Sequence, residues 1–162
     1  MDDGFSVYES RAVLAYLVNK YAPNHALYPS DPKKRALVDM ALNFDGTTLY
    51  PAMGMVVYPV IRLGAKVDPK LTKILDDNLV LLNEDLGRTP YIAGNELTIA
   101  DLSLLATWTS IEATGFWKLD HLTNVHAWVK RIKDSGKIKN YEELVVSTAK
   151  QYGDFVKGAL KA

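Results

Sequence analysis

Three observations in the sequence predict an all-α protein. Beyond residue 10, apolar residues recur at helical spacing, and the two-residue alternation of a half-buried strand does not appear. Acceptor side chains stand just ahead of proline at Asp31-Pro32 and Asp68-Pro69, which is a helix-start signal. Thr98 and Asp101, three residues apart at the head of an apolar run, have the spacing of a capping box.

The first eight residues stand apart from that pattern. Asp3-Gly4 is a hairpin-turn signal, and Phe5, Ser6, Val7 and Tyr8 after it read as a strand. Nothing ahead of the turn can pair with it, so its ladder groups are expected to be unpaired and the chain to begin inside a missing sheet. A helix follows from Ser10, with Val13, Leu14, Leu17 and Val18 as its apolar stripe and Pro23 ending it.

Asp31-Pro32 opens a long apolar stretch, 33–63, that Gly46, Pro51, Gly54 and Pro59 interrupt, so a bent or broken helix is expected. Asp68-Pro69 opens the next. Its apolar positions run from Leu71 through Ile74, Leu75, Leu79 and Leu82 to Leu86, with Gly87 as a C-terminal cap. A short extended loop, 88–96, leads to the sharpest local signal. Thr98 caps the N–H of residue 101, Asp101 reaches back to the N–H of residue 98, and Leu97 and Leu102 sit at the spacing of a hydrophobic staple. Losing that cap by Asp101→Ala is expected to cost about 1 kcal/mol or more. This helix runs to about Gly115, and two more are expected over about 125–135, with Gly136 after it, and 141–157.

Bulk properties exclude several classes of function. The 162 residues suffice for one domain with a sizeable core, and 48% hydrophobic composition argues against disorder. The 19 basic and 19 acidic side chains cancel, against a general binder of nucleic acid or of a membrane surface. There is no cysteine, hence no disulfide framework, thiol nucleophile or zinc-thiolate site. The longest apolar run, 52–61, is too short to span a bilayer and contains Pro59. The start, Met1-Asp2-Asp3, is acidic and unlike a secretory signal, so a reducing, cytoplasmic location is expected. His25, His121 and His126 lie in or beside loops without ligand spacing, so no metal site is expected. Lys33-Lys34-Arg35 reads as a solvated first turn, not a nucleic-acid patch.

Chemistry gathers at Glu9-Ser10-Arg11-Ala12. A serine at a helix start leaves backbone N–H groups and the positive dipole end outward, a receptor for a carboxylate or phosphate. Glu9 beside it can hold an ammonium group. Together they suit the zwitterionic end of an amino acid or peptide; a Glu-Ser pair also serves as an ordinary cap without a ligand.

Taken together, the motifs resemble cytosolic glutathione transferases of the arthropod delta/epsilon type. The resemblance rests on Asp2-Asp3-Gly4-Phe5, Glu9-Ser10-Arg11-Ala12, Tyr16-Leu17, Leu27-Tyr28-Pro29 and Pro32-Lys33-Lys34-Arg35-Ala36. It continues through Leu42-Asn43-Phe44-Asp45, Thr48-Leu49-Tyr50, Tyr91-Ile92-Ala93-Gly94-Asn95, Thr98-Ile99-Ala100-Asp101, Asn124-Val125 and Trp128. It implies a glutathione transferase C-terminal-type helical bundle over 31–162, a linker at 23–30, and at 1–22 the last strand and helix of a thioredoxin-like domain.

What the family does then becomes an expectation for particular residues. Glu9 would bind the γ-glutamyl ammonium of glutathione, Ser10 its carboxylate, and Arg11 would support them, oriented by Asp45; a plain salt bridge between packed helices is the other reading of that pair. Tyr50, Met53, Tyr58 and Phe116, with Tyr152 and Phe155 as an outer wall, are the candidates for the hydrophobic electrophile pocket. The same aromatic spacing also suits core or lid packing.

The family's thiol-activating Ser or Tyr and its cis-Pro loop belong to a region this chain does not contain. Glutathione is thus a co-substrate of the full-length family, no cofactor is bound by this chain alone, and the chain alone is expected to be inactive. Two readings follow: the substrate-binding part of a detoxifying transferase, or a non-enzymatic helical interaction module. Self-association into a dimer or larger assembly is expected, with the N-terminal segment at or near the contact.

Overall fold

Asp31 and Asp68 act as their position before proline predicts. Asp31 Oδ1 accepts the Lys34 N–H at 2.9 Å and Asp68 Oδ1 the Lys70 N–H at 2.7 Å, and a helix leaves from each. A computed structural model describes residues 2–160 of the chain. Seven α-helices follow in order: α1 Ser10–Tyr21, α2 Pro32–Phe44, α3 Tyr50–Leu63, α4 Pro69–Leu86, α5 Ile99–Thr114, α6 Thr123–Asp134 and α7 Thr148–Ala159. Among the described residues the only β pairing is two isolated bridges, Asp2 with Phe5 and Tyr91 with Gly94. The all-α expectation holds.

The strand expected at Phe5, Ser6, Val7 and Tyr8 does not form. With no neighbouring strand, the turn closes only on itself, Asp2 and Phe5 exchanging backbone hydrogen bonds of 2.9 and 2.8 Å. Asp3 and Gly4 take positive φ of 48° and 83°, as the Asp-Gly signal implies. The turn is then tied to α1. The Tyr16 and Tyr21 hydroxyls donate to Asp2, and the Phe5 ring lies 5.1 Å from that of Tyr16. The Lys20 ammonium hydrogen-bonded to Asp2 holds its carboxyl down at about 2. The α1 stripe is only half covered: Val18 is buried, Leu14 partly so, and Leu17 exposed.

The long stretch after Asp31 is broken as an α-helix, at Gly46 and not at its prolines. Between α2 and α3 the backbone opens into one wide π turn, Asp45–Leu49. Pro51 falls in the first turn of α3, directly after the π turn, and Pro59 is carried inside α3. A second wide turn, Glu142–Ser147, precedes α7. Gly87 follows α4 in a right-handed conformation, not the left-handed one expected of a C-terminal glycine. A Cβ there would meet the Asn124 amide at 2.8 Å, so space decides this residue.

The bundle is built around α5, whose buried positions Ile99, Ala100, Leu104, Leu105, Trp108 and Ile111 cover most of its circumference and leave the side of Leu102 and Ala106 open. Against it pack the buried leucines 75, 79, 82 and 86 of α4 and the Val125, Trp128 and Ile132 face of α6. A smaller cluster joins α1 and α2 to the start of α5 through Val18, Val38, Ala41 and Ile99.

The capping box at the head of α5 is formed. Asp101 Oδ2 accepts the Thr98 N–H at 2.8 Å and its hydroxyl at 3.0 Å. Its other oxygen accepts the Ile92 N–H and the Trp128 indole N–H, both at 2.9 Å. The carboxylate is fully buried and every donor is neutral. Leu97 and Leu102 flank it, the first buried and the second partly so. Of the histidines, His126 lies within α6 and not in a loop, its Nε2 3.0 Å from the Leu119 carbonyl oxygen.

Candidate functional site

The start of α1 is open. Sequence spacing suggests Ser10 as the cap, but Ser10 is the first helical residue and Glu9 occupies the cap position, with no side-chain cap bond. Glu9 has φ 69° and ψ 105°, a left-handed backbone that a non-glycine residue adopts only under constraint from its surroundings. A strained acidic residue and an uncapped helix start, both exposed, leave a ready concentration of donors and one carboxylate at one corner.

Beside that corner Arg11 is fixed. Its Nε and Nη2 donate to Asp45 Oδ2 at 3.1 and 2.7 Å, with Arg11 partly exposed and Asp45 fully buried. Asp45 sits on the π turn, which aims its carboxylate between α1 and α5. From α5, the Ser103 hydroxyl donates to Oδ2 at 2.5 Å and the Thr107 hydroxyl to Oδ1 at 2.7 Å. Gly46 gives the arginine its room, since a Cβ there would come within 3.0 Å of Arg11 Cδ. Burying a charge demands such pairing, and four bonds supply it.

Ser103 and Thr107 were not among the sequence candidates. Their spacing, two hydroxyls one turn apart, does not single them out on a helix that also carries Thr109, Ser110 and Thr114.

The Glu9 corner opens into a cleft of about 640 Å³ that also includes Ser10, Arg11, Tyr50, Leu102 and Ser110. The Arg11 guanidinium stands 5.6 Å from the centre of the Tyr50 ring. The Tyr50 and Tyr58 hydroxyls are 2.8 Å apart. That hydrogen bond, with burial second, pushes the Tyr50 phenol up to about 12. Burial likewise raises the Tyr152 phenol, which faces the same side near Tyr58. Tyr152 borders an adjoining apolar groove of about 390 Å³ between α5 and α7, and Phe155 further along α7 is exposed.

Two candidates fall elsewhere. Met53 is 2% exposed within the main core, where it presents no surface to a ligand. Phe116 packs on Trp117, ring centres 5.7 Å apart, and borders a separate cleft with Pro69, Thr72 and His121.

Known proteins share this fold. The family model described as the glutathione S-transferase C-terminal domain matches residues 65–144. A delta-class glutathione transferase of Nilaparvata lugens superposes with a TM-score of 0.93 and 38% identity, covering 98% of this chain and 73% of that one. A Bombyx mori glutathione transferase superposes at 0.89 with 36% identity, covering 95% and 71%. An epsilon-class glutathione S-transferase from the housefly, Musca domestica, superposes at 0.87 with 30% identity, covering 98% and 72%.

Proposed function

The chain belongs to the glutathione S-transferase family, and on that premise we propose that its cleft takes the γ-glutamyl end of glutathione beside an apolar electrophile. The observation that carries this reading is the uncapped, strained start of α1 next to an arginine that a buried carboxylate holds still. Glu9 binds the ammonium. The Ser10 hydroxyl and backbone N–H bind the α-carboxylate, helped by the helix dipole. Arg11, oriented by Asp45, adds positive potential beneath that carboxylate without being its sole counter-ion.

Tyr50, Tyr58 and Tyr152 form the wall for the electrophile, with Phe155 at its outer edge. In this reading residues 1–22 correspond to the last strand and helix of the family's thioredoxin-like domain, 23–30 to the linker and 31–162 to the helical domain.

Calorimetric titration with glutathione tests it. Glu9→Ala is expected to weaken binding about tenfold, since a charged hydrogen bond contributes about 1.5–3 kcal/mol and 1.4 kcal/mol is a decade. Ser10→Ala is expected to lose less, because its backbone N–H remains. Equal affinity in wild type and Glu9→Ala contradicts the assignment.

Conjugation requires a thiolate, and lowering a thiol's pKa requires a donor or cation at the sulfur. Around this cleft Arg11 is engaged by Asp45, and the Tyr50 hydroxyl by Tyr58. Residues 1–162 by themselves are therefore expected to conjugate glutathione to a generic aromatic electrophile negligibly; turnover within about tenfold of a full-length relative overturns this. A docking module would have no use for the Glu9 corner, and no observation favours that alternative.

A detoxifying role in the cytoplasm is the corresponding setting; among the described residues no helix is long and apolar enough to cross a membrane. Phe5, Leu17 and Tyr21 on one side, and Leu37 and Met40 of α2, are exposed apolar groups that support self-association. Light scattering at micromolar concentration decides between a monomer and a larger assembly.

A further inference from the structure

Aspartate precedes glycine twice in this chain, at Asp3-Gly4 and at Asp45-Gly46. That pairing is intrinsically reactive. The glycine nitrogen can attack the carboxyl carbon of the preceding side chain and close a five-membered imide, because glycine has no Cβ to obstruct the approach.

The fold places the two pairs in opposite surroundings. Asp3 stands on the turn ahead of α1 with its side chain 91% exposed, and its carboxylate meets the Lys20 ammonium at 3.3 Å. The turn closes between Asp2 and Phe5, and among the described residues the Gly4 N–H between them has no acceptor. A Cβ on Gly4 would meet nothing within 4 Å, so the space around this peptide bond is open. Asp45 has no exposed surface, and its oxygens accept from Arg11, Ser103 and Thr107. Gly46 follows it inside the π turn, against the Arg11 side chain. The Asp45 carboxyl cannot swing onto the Gly46 nitrogen without breaking those bonds and opening the turn.

We infer that Asp3-Gly4 is a site of spontaneous backbone modification, converting to isoaspartate, and that the fold shields Asp45-Gly46 from the same reaction. The step needs only water. The Gly4 nitrogen bonds to Asp3 Cγ and gives up its proton, the protonated carboxyl gives up its hydroxyl, and the two leave as one water. Water then opens the imide at either carbonyl. Addition at Cγ restores aspartate. Addition at the main-chain carbonyl leaves the chain running through Cγ, longer by one carbon, with a free α-carboxylate.

The consequence reaches α1. With an extra carbon between them, Asp2 and Phe5 cannot keep both of their hydrogen bonds of 2.9 and 2.8 Å. Asp2 also accepts from the Tyr16 and Tyr21 hydroxyls and pairs with Lys20, so the modified turn loses its fastening to the helix.

Prolonged incubation of the folded protein, trypsin digestion and enzymatic methyl labelling of isoaspartate test the inference. Trypsin releases Asp3 in the peptide ending at Arg11, and Asp45 in the peptide from Ala36 to Arg62. Label in the first is expected to exceed label in the second at least about tenfold, because an exposed turn reacts as it stands while a buried segment must first open. Asp3→Ala is expected to remove the label from the first peptide although Asp2 remains. In concentrated guanidinium the wild-type peptides are expected to label within about threefold of each other, the shielding being gone. No label at Asp3 in the folded protein, or label that survives in Asp3→Ala, overturns the assignment of the site. Equal label at Asp3 and Asp45 in the folded protein, or a difference that persists undiminished in guanidinium, overturns the shielding.

Discussion

Asp101 and Asp45 are two carboxylates with no exposed surface, and each accepts four hydrogen bonds from the protein. Asp101 has only neutral donors, all but the part-buried Ile92 N–H in the interior, and ties the head of α5 to the preceding loop and to α6. Asp45 has a cation among its donors and ties α5 to α1 at the rim of a cleft, where Arg11 is 23% exposed. The same residue type, equally buried, serves two ends. One closes a bundle and the other holds a charged side chain still where a ligand can reach its neighbours. The difference lies in what is left behind when the carboxylate goes.

Removing Asp101 gives the largest effect. Asp101→Ala strips partners from the Thr98 and Ile92 N–H groups and from the buried Trp128 indole. At about 1–3 kcal/mol for each donor left buried and unpaired, partly relieved by water, a loss of about 3–5 kcal/mol is expected. That exceeds the cost of a cap alone, because the box also anchors α6. Urea unfolding checks it, and a midpoint unchanged from wild type would break the comparison at its structural end.

Asp45→Ala is expected to destabilise less, by about 2–3 kcal/mol, since Arg11 can turn to water while only the Ser103 and Thr107 hydroxyls are stranded. Equal losses in the two variants would mean that Asp45 is another bundle clamp and nothing more.

Glu9→Gly gives the smallest effect on stability and the opposite sign. Glycine accepts φ 69° without strain, so the variant is expected to be unchanged or about 0.5–1 kcal/mol more stable, yet to lose affinity for glutathione. A destabilised Glu9→Gly would show that Glu9 holds the fold and not a ligand.

How much of this could be read in advance depends on sequence distance. Thr98 and Asp101 are three residues apart, and caps are local chemistry, so that end of α5 was legible. The Trp128 indole on Asp101 was not, because 27 residues separate them and only the packing of α6 brings them together. The helix starts at Asp31 and Asp68 were legible for the same local reason.

Around Asp45 the partners lie 34, 58 and 62 residues away. The pairing with Arg11 came from family resemblance, and spacing along the chain says nothing of Ser103 or Thr107. The expected bend was placed among four glycines and prolines. The break resides in the π turn that holds Gly46, one of those four, while both prolines are carried in α3. Met53 and Tyr50, three residues apart on α3, end in the core and at the cleft, a difference that only the packing of the other helices around α3 decides. The Phe5 to Tyr8 strand failed because alternation describes a face and cannot supply a partner.

The most direct test measures glutathione affinity by calorimetry in Asp45→Asn and Asp101→Asn, at a temperature where both remain folded by circular dichroism. Asparagine preserves size and removes the charge that holds Arg11. Asp45→Asn is expected to bind glutathione about tenfold more weakly than wild type, while Asp101→Asn, though less stable, binds within about twofold of it. Wild-type affinity in Asp45→Asn, or an equal loss in both, would contradict the division of labour between the two buried carboxylates.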